Sequence, residues 1–370
     1  MPKTTTLCAS VTSSRLDIRI VKIGFSITST VWLCRDLKEN ILLTLKVCTT
    51  GKEGDNELTI SRHLESQDAY VEMMSSEHPG KDKIRVVLDD FEIEGPHGSH
   101  RCLLFTPLGQ TYAGFRYYEC PEKTLDMKAV QLSMLKILQG LAFMHQSGVV
   151  HTDLAPDNIR FGASSASLDQ VWACCELSEQ TYPTPRKILS DRVIHKTWDL
   201  STPVTCWDPV ICDIGLARLG RPGQKYSAPE VILDMEWDHR IDIWSIGVMI
   251  WELFEGNTNS LFCGVKDDIL DDELHLAEMV SVMGPPPRKF LERSEKCRKY
   301  WDCEGNWIAT TPVPNQTLET RETRETRLEG EDKAQFLNLA RKILRWLPEE
   351  RSSLGELYMD EWLNQSKLST

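Results

Sequence analysis

Three side chains in this chain have the types and spacing to do chemistry together. The run His151-Thr152-Asp153-Leu154-Ala155-Pro156-Asp157-Asn158 offers a carboxylate at Asp153 and an amide at Asn158, and a second carboxylate follows in Asp213-Ile214-Gly215. Phosphoryl transfer from a nucleoside triphosphate asks for such a set. A base orients the attacking hydroxyl, while an amide and a carboxylate hold Mg2+ against the phosphates. Acidic loop residues are common and usually solvated, so the spacing alone does not decide the matter. The order of the surrounding landmarks does.

Upstream, Ile18 to Ile23 alternates as a strand and leads through Gly24-Phe25-Ser26-Ile27-Thr28-Ser29-Thr30-Val31 into a second β-rich run. A loop covering phosphates wants glycines where backbone must approach them. Here Gly24 and Val31 fit, and serines stand at the other glycine positions. Leu42-Leu43-Thr44-Leu45-Lys46-Val47 reads as a strand whose lysine either faces water or grips phosphates. Glu57 then opens a helical pattern, Glu57-Leu58-Thr59-Ile60-Ser61-Arg62-His63-Leu64, and a Lys46–Glu57 ion pair would aim the lysine. Lys83 to Phe91 and Arg101 to Thr106 are expected as two more strands around a Gly/His turn. Pro107-Leu108-Gly109 ends the β-rich region, where Thr106 and Leu108 could offer backbone groups to adenine.

From Met127 the period becomes helical, with Val130, Met134, Ile137, Leu138 and Leu141 on one face and Gly148 as a stop. Residues 163–210, rich in Ser, Cys, Pro and Asp, show no catalytic pattern and read as an insertion or spacer. Ala228-Pro229-Glu230 and the apolar run from Ile241 to Phe254 come next. Asp242, at the head of that run, could accept hydrogen bonds from the Asp153 loop backbone. An acidic run, Asp267 to Glu273, and three Glu-Thr-Arg copies from Glu319 to Arg327 follow. The tail from Lys333 to Leu363 is expected to be helical, interrupted at Pro348-Glu349-Glu350-Arg351, with Arg351 placed to pair with Glu230.

With 370 residues, 41% hydrophobic and 26% charged, the chain is long enough for two compact units of ordinary globular composition. Its net charge of −13 disfavours nucleic-acid and anionic-membrane partners and suits basic protein substrates. The 12 cysteines show no metal-ligand spacing and read as reduced thiols of an intracellular protein, in cytoplasm or nucleus. The Thr/Ser-rich start has no apolar core of a secretory signal, and the Ile241–Phe254 run is too short to span a membrane.

Taken together, these residues resemble a eukaryotic protein kinase domain over roughly Arg15 to Leu363, and within it the SR-protein kinases, especially their divergent fungal relatives. Ser29-Thr30-Val31-Trp32-Leu33, His-Thr-Asp at 151–153, Leu-Gly at 108–109, the long spacer and Leu261-Phe262 carry that likeness. The resemblance implies an α+β bilobal fold: a flexible start (1–14), a small β-rich N-lobe with one main helix (15–108), and a larger α-helical C-lobe (109–370). The C-lobe would carry the spacer (163–210) and a low-complexity insertion (315–330). It implies a monomeric serine/threonine kinase using ATP and Mg2+ on Arg/Ser-rich proteins. Lys46 and Glu57 would be the phosphate-gripping pair, Asp153 the base, and Asn158 with Asp213 the metal ligands. Ile23, Gly24, Val31, Thr106 and Leu108 would line the ATP site, and Glu230, Asp242 and Arg351 would hold the large lobe.

Several positions depart from the family pattern. Ala155 stands in place of a lysine that neutralises the transferred phosphoryl, and Arg160 and Thr44 in place of apolar neighbours of adenine. Ser61 is polar where packing is usual, and Thr152 replaces the arginine that meets an activating phosphate. The last substitution implies a segment active without phosphorylation. These departures keep open a weakly active or pseudokinase scaffold that binds a protein partner. A small-molecule kinase is disfavoured by Glu230, Asp242 and Arg351, which point to a peptide-binding lobe.

Overall fold

The computed structural model describes residues 11–12, 17–36, 38–72, 78–95, 97–120, 125–181, 186–188, 193–195, 207–219, 228–255, 261–266, 269–322 and 328–368. The chain divides into two compact units, one of Met1–Thr111 with Ile159–Ala217, the other of Tyr112–Asn158 with Arg218–Thr370. Residues 159–217, which follow the Asp153 loop in sequence, thus group with the β-rich unit.

The first unit is built on an antiparallel six-stranded sheet. Its strands are β1 (Val11–Thr12), β2 (Asp17–Phe25), β3 (Ser29–Asp36), β4 (Ile41–Cys48), β5 (Asp89–Gly95) and β6 (Gly98–Phe105), in the order β1-β2-β3-β4-β6-β5. Side chains alternate across a sheet, and here the alternation sorts two cores. Trp32, Cys34, Leu43, Leu45, Val47, Cys102 and Leu104 pack on one face with Phe91 and Ile93. Cys48, Leu103 and Phe105 lie on the other, against Leu58 of helix α1 (Asp55–Glu72) and Val87. Fully burying each such side chain contributes about 1.5–3 kcal/mol. Lys46, between Leu45 and Val47, therefore falls on the α1 side.

The expected strand at Lys83 to Phe91 begins only at Asp89. Lys81–Lys83 forms a single 3-10 turn, and the segment after it is held elsewhere: Arg85 N–H donates to Ile211 O at 2.8 Å and Val87 N–H to the Ser61 hydroxyl at 3.1 Å. Within the spacer, Ser165–Thr181 forms a helix, α4, and Arg186–Ile188 pairs with Val193–His195. Helix α4 is tied to the sheet through Arg35 of β3, which bonds Asp169 at 2.9 Å and lies 5.4 Å over the Trp172 ring.

The second unit is helical. Helix α2 (Tyr112–Glu119) is followed by α3 (Met127–Gln146), which is capped by the Asp126 carboxylate on Ala129 N–H and stopped at Gly148, where φ is +72°. Its buried face includes Val130, Met134, Ile137, Leu138 and Leu141. The short α5 (Pro229–Ile232) precedes α6 (Arg240–Glu255). The helix Gly330–Ile343 packs so closely on α6 that a Cβ at Gly247 would fall 2.5 Å from Ile343. Trp251, Phe254, Phe336 and Trp362 form one aromatic cluster beside this contact. The tail is helical in pieces, with a 3-10 turn at Pro348–Glu350, then Leu354–Tyr358 and Glu361–Leu368. No helix among the described residues is long and apolar enough to cross a membrane.

Candidate active site

Strand register aligns the first group of site residues. Gly24 pairs with Val31, Val31 with Lys46, and Lys46 with Leu103, so Gly24, Val31 and Lys46 stand abreast on three strands. Ile23 sits at the irregularity between Lys22 and Gly24. The turn beyond is closed by serine in place of glycine: Ser26 N–H donates to Ser29 O at 2.8 Å, and the Ser26 hydroxyl accepts from Thr28 N–H at 3.2 Å. Phe25 and Ile27 project outward at this tip, 69% and 80% exposed.

Lys46 Nζ lies 2.7 Å from Glu57 Oε2 and 3.4 Å from Asp213 Oδ1. Burial works against its charge, but Glu57 and then Asp213 outweigh it and lift the pKa above the ordinary lysine range. The ammonium is therefore permanent at any physiological pH. Asp213 takes a left-handed backbone, φ 59° and ψ 60°, unusual for a residue with a side chain. Two features hold it there. Asn56, in the first turn of α1, donates to Gly215 O at 2.8 Å and Ala217 O at 3.0 Å. Gly215 also keeps the carboxylate clear, since a Cβ there would come within 3.3 Å of Asp213 Oδ1. The Asp213 side chain remains 54% exposed.

The connector after β6 is bound to residues following the Asp153 loop. Gly109 N–H donates to Phe161 O at 2.8 Å, and Arg160 Nη1 donates to Gly109 O at 2.9 Å. Arg160 thus serves the connector backbone rather than packing as an apolar residue would. Thr44 is buried in β4 opposite Phe105. Ser61, fully buried in α1, satisfies the Val87 amide, which accounts for a polar residue at a packing position.

In the second unit the Asp153 loop is suspended from one carboxylate. Asp242, fully buried near the start of α6, accepts from His151 N–H at 2.8 Å and Thr152 N–H at 2.9 Å, and bonds His145 Nε2 at 2.9 Å. Burial opposes its charge, yet these hydrogen bonds and the adjacent histidines hold its pKa below the usual aspartate value. Thr152 adopts φ +70° within this clamp. Asn158 Nδ2 donates to Asp153 O at 2.7 Å, fixing the loop and leaving the amide oxygen as the free end. Asp153 itself is half-buried, with its N–H on His151 Nδ1 at 3.2 Å. Glu230 and Arg351 form a two-armed pair, both arms at 2.6 Å, and Arg351 also donates to Arg240 O at 3.0 Å. Asp213 and Asn158 each present a hard oxygen donor of the kind Mg2+ takes.

Asn56 and Arg85 escape a reading of the sequence, because nothing in their neighbourhood marks which backbone carbonyls they serve. Tyr226 and Ser227, the hydroxyl-bearing residues between Asp213-Ile214-Gly215 and Ala228-Pro229-Glu230 that an activating phosphate would need, lie outside the described residues, as do Asp267 and Asp268 of the acidic run. Of the rest of the acidic run, Asp271 caps the helix Asp272–Met283 and Glu273 accepts from Thr311 N–H and the Thr310 hydroxyl.

Comparison with known proteins adds the following. The protein kinase domain family model matches residues 208–363. A serine/threonine protein kinase of Aspergillus fumigatus is 35% identical over 353 residues, 92% of this chain and 83% of that protein. The serine/threonine-protein kinase SRPK of Physarum polycephalum is 30% identical over 331 residues, 78% and 72% of the two chains. The dual specificity protein kinase CLK2 of Mus musculus is 29% identical over 273 residues, 70% of this chain and 48% of that one.

Proposed function

Because the chain belongs to the protein kinase family, as one of its serine/threonine kinases, we propose that it transfers the ATP γ-phosphate to serine or threonine hydroxyls through the residues described above. The observation that carries this reading is Lys46 Nζ held between Glu57 and Asp213 at 2.7 and 3.4 Å. A lysine locked in this way presents a fixed positive charge to α- and β-phosphate oxygens. Ile23, Gly24 and Val31 cover the nucleotide, and the connector at Thr106 and Leu108 receives the base. Asp153 takes the hydrogen bond of the substrate hydroxyl and aims it at the phosphorus. Asn158 and Asp213 would hold Mg2+, which when bound neutralises charge between the phosphates. Since Ala155 supplies no cation beside the transferred group, positive charge there would come from Lys46 and from the metal that Asn158 and Asp213 would hold.

Basic Ser/Arg-rich proteins are the substrates this reading favours, given relatives named SRPK and CLK2 and a net charge of −13. The acidic run from Asp267 to Glu273 would add to that attraction, since Asp271 and Glu273 keep their negative charge while accepting hydrogen bonds from the fold. Thr152, clamped on Asp242 without any arginine beside it in the loop, supports a kinase that needs no activating phosphate. Phosphatase treatment is expected to leave turnover intact. The same reading extends to an enzyme that acts as a monomer in cytoplasm or nucleus.

The test is phosphorylation of a Ser/Arg-rich protein by the full chain with Mg-ATP. Asp153→Asn is expected to lower kcat by about 10²–10⁴ with little change in nucleotide binding. Equal incorporation by wild type and Asp153→Asn would assign the activity to a contaminant and leave a binding scaffold as the better account.

A further inference from the structure

Arg85 lies beside the connector after β6, and the transfer reaction does not use its chemistry. Its Nε donates to Thr106 O at 3.2 Å, and its guanidinium lies 4.5 Å over the Phe105 ring. Among the described residues it forms no ion pair with a carboxylate, and Nη1 and Nη2 have no hydrogen-bond partner. A second guanidinium, that of Arg160, donates to Gly109 O three positions further along the same connector. Burial, with Arg160 nearby, lowers the Arg85 pKa to about 10, so it is still a cation at neutral pH. The connector therefore carries N–H donors on its own carbonyls, with further donors unspent.

That arrangement bears on the base. An adenine facing the connector presents an amino donor at C6, which needs an acceptor such as Thr106 O. A 6-oxopurine presents a carbonyl acceptor there, which needs a donor. Arginine is the side chain that reads such a carbonyl, through its forked N–H pair. A donor-lined edge also penalises a base that brings another donor, because buried donors are then left unpaired.

We propose that Arg85 is a base-selecting residue that makes the nucleotide site accept 6-oxopurine nucleoside triphosphates, so that GTP serves as phosphoryl donor alongside ATP. This rests on the reading of Thr106 to Leu108 as the base-binding connector. The hydrogen bond on Thr106 O sets the guanidinium at the base edge, the Phe105 ring fixes its plane, and the unspent Nη atoms meet the carbonyl.

The experiment is equilibrium binding of the non-hydrolysable analogues AMP-PNP and GMP-PNP with Mg2+ to the full chain, by calorimetry, together with KM for ATP and GTP. Wild type is expected to bind both analogues within about tenfold of each other. Arg85→Val should weaken GMP-PNP by about tenfold or more while AMP-PNP binding holds or tightens. Arg85→Lys, which keeps the charge and loses the fork, should lose GMP-PNP in the same direction, and it guards against a valine variant that fails to fold. An unchanged ratio of the two affinities in either folded variant overturns the role of Arg85 alone. Titrations that are flat for both analogues in wild type overturn it together with the base-site reading.

Discussion

Arg351 and Glu230 in the second unit have side chains 0% and 1% exposed, whereas Lys46, Glu57 and Asp213 in the first are 19%, 5% and 54% exposed. Both groups are ion pairs of one cation with carboxylate, so the contrast lies in how their charges are completed. Around Arg351 four hydrogen bonds are made within the fold, on both Glu230 oxygens and on the carbonyls of Arg240 and Arg345. Around Lys46 the set is left open on the Asp213 side. A closed pair of this kind acts on folding; an open one is available to a ligand. Charge that is sealed costs stability when broken, while charge that faces solvent costs mainly activity.

The largest expected effect breaks the closed pair. Arg351→Met leaves Glu230 buried and unpaired and should destabilise the second unit by about 3–5 kcal/mol, read by urea denaturation. The double variant Arg351→Met with Glu230→Leu should regain most of that loss, because two apolar side chains need no partners. Lys46→Met leaves the buried Glu57 without its partner but opens on the solvent-facing side of Asp213, so it should destabilise the first unit by less than Arg351→Met does the second and abolish transfer. Should Lys46→Met prove as destabilising as Arg351→Met, the distinction between the two regions is lost.

A smaller effect concerns pH. His275, in the helix Asp272–Met283, packs its ring against Phe262 at 5.9 Å between centroids, and its Nε2 is sealed from solvent without a partner. Burial pulls its pKa from 6.5 down to about 4. The unfolded chain therefore takes up a proton below 6.5 that the folded chain refuses. Stability is full above pH 6.5 and falls as the pH drops toward 4, by up to about 3 kcal/mol. His275→Phe should flatten the curve between those values. A wild-type curve that is level from pH 7 to 4.5 would remove His275 as its source.

The same contrast explains what could be read before any fold was known. The grouping of Lys46 with Glu57 and Asp213 was legible because phosphoryl transfer restricts both residue type and order, and the structure brings these three side chains together. Asp153 and Asn158 follow from the same restriction as proposed site residues. The face of α3 was legible because burial imposes a helical period on Val130 through Leu141. What escaped depends on partners that leave no local trace. Helix α4 lies in a segment whose Ser and Cys content carries no clear period, and it is anchored by Arg35, far away in sequence. The delayed start of β5 follows from Arg85 and Val87 bonding Ile211 and Ser61 instead of a neighbouring strand. Arg160 signals a polar substitution, but only the Gly109 carbonyl gives it a purpose.

The finest test lies at Asn56, where the open region depends on a neutral hydrogen bond rather than on charge. Its Nδ2 spans Gly215 O and Ala217 O, and so joins the first turn of α1 to the backbone that sets the left-handed Asp213. Asn56 touches no reacting atom; it is a positioning residue. Its removal leaves two carbonyls without that donor, a loss of about 1 kcal/mol that water at this half-buried position can partly restore. Asn56→Ala should therefore lower kcat about fivefold, because Asp213 spends less time in the orientation that faces Lys46. Amide hydrogen exchange at 213–217 should quicken to a similar degree. Asn56→Gln, which keeps a donor on a longer arm, should recover part of both. A loss of stability spread over the whole first unit, with exchange at 213–217 no faster than elsewhere, would make Asn56 a packing residue of α1 and leave Gly215 as the sole constraint on the carboxylate.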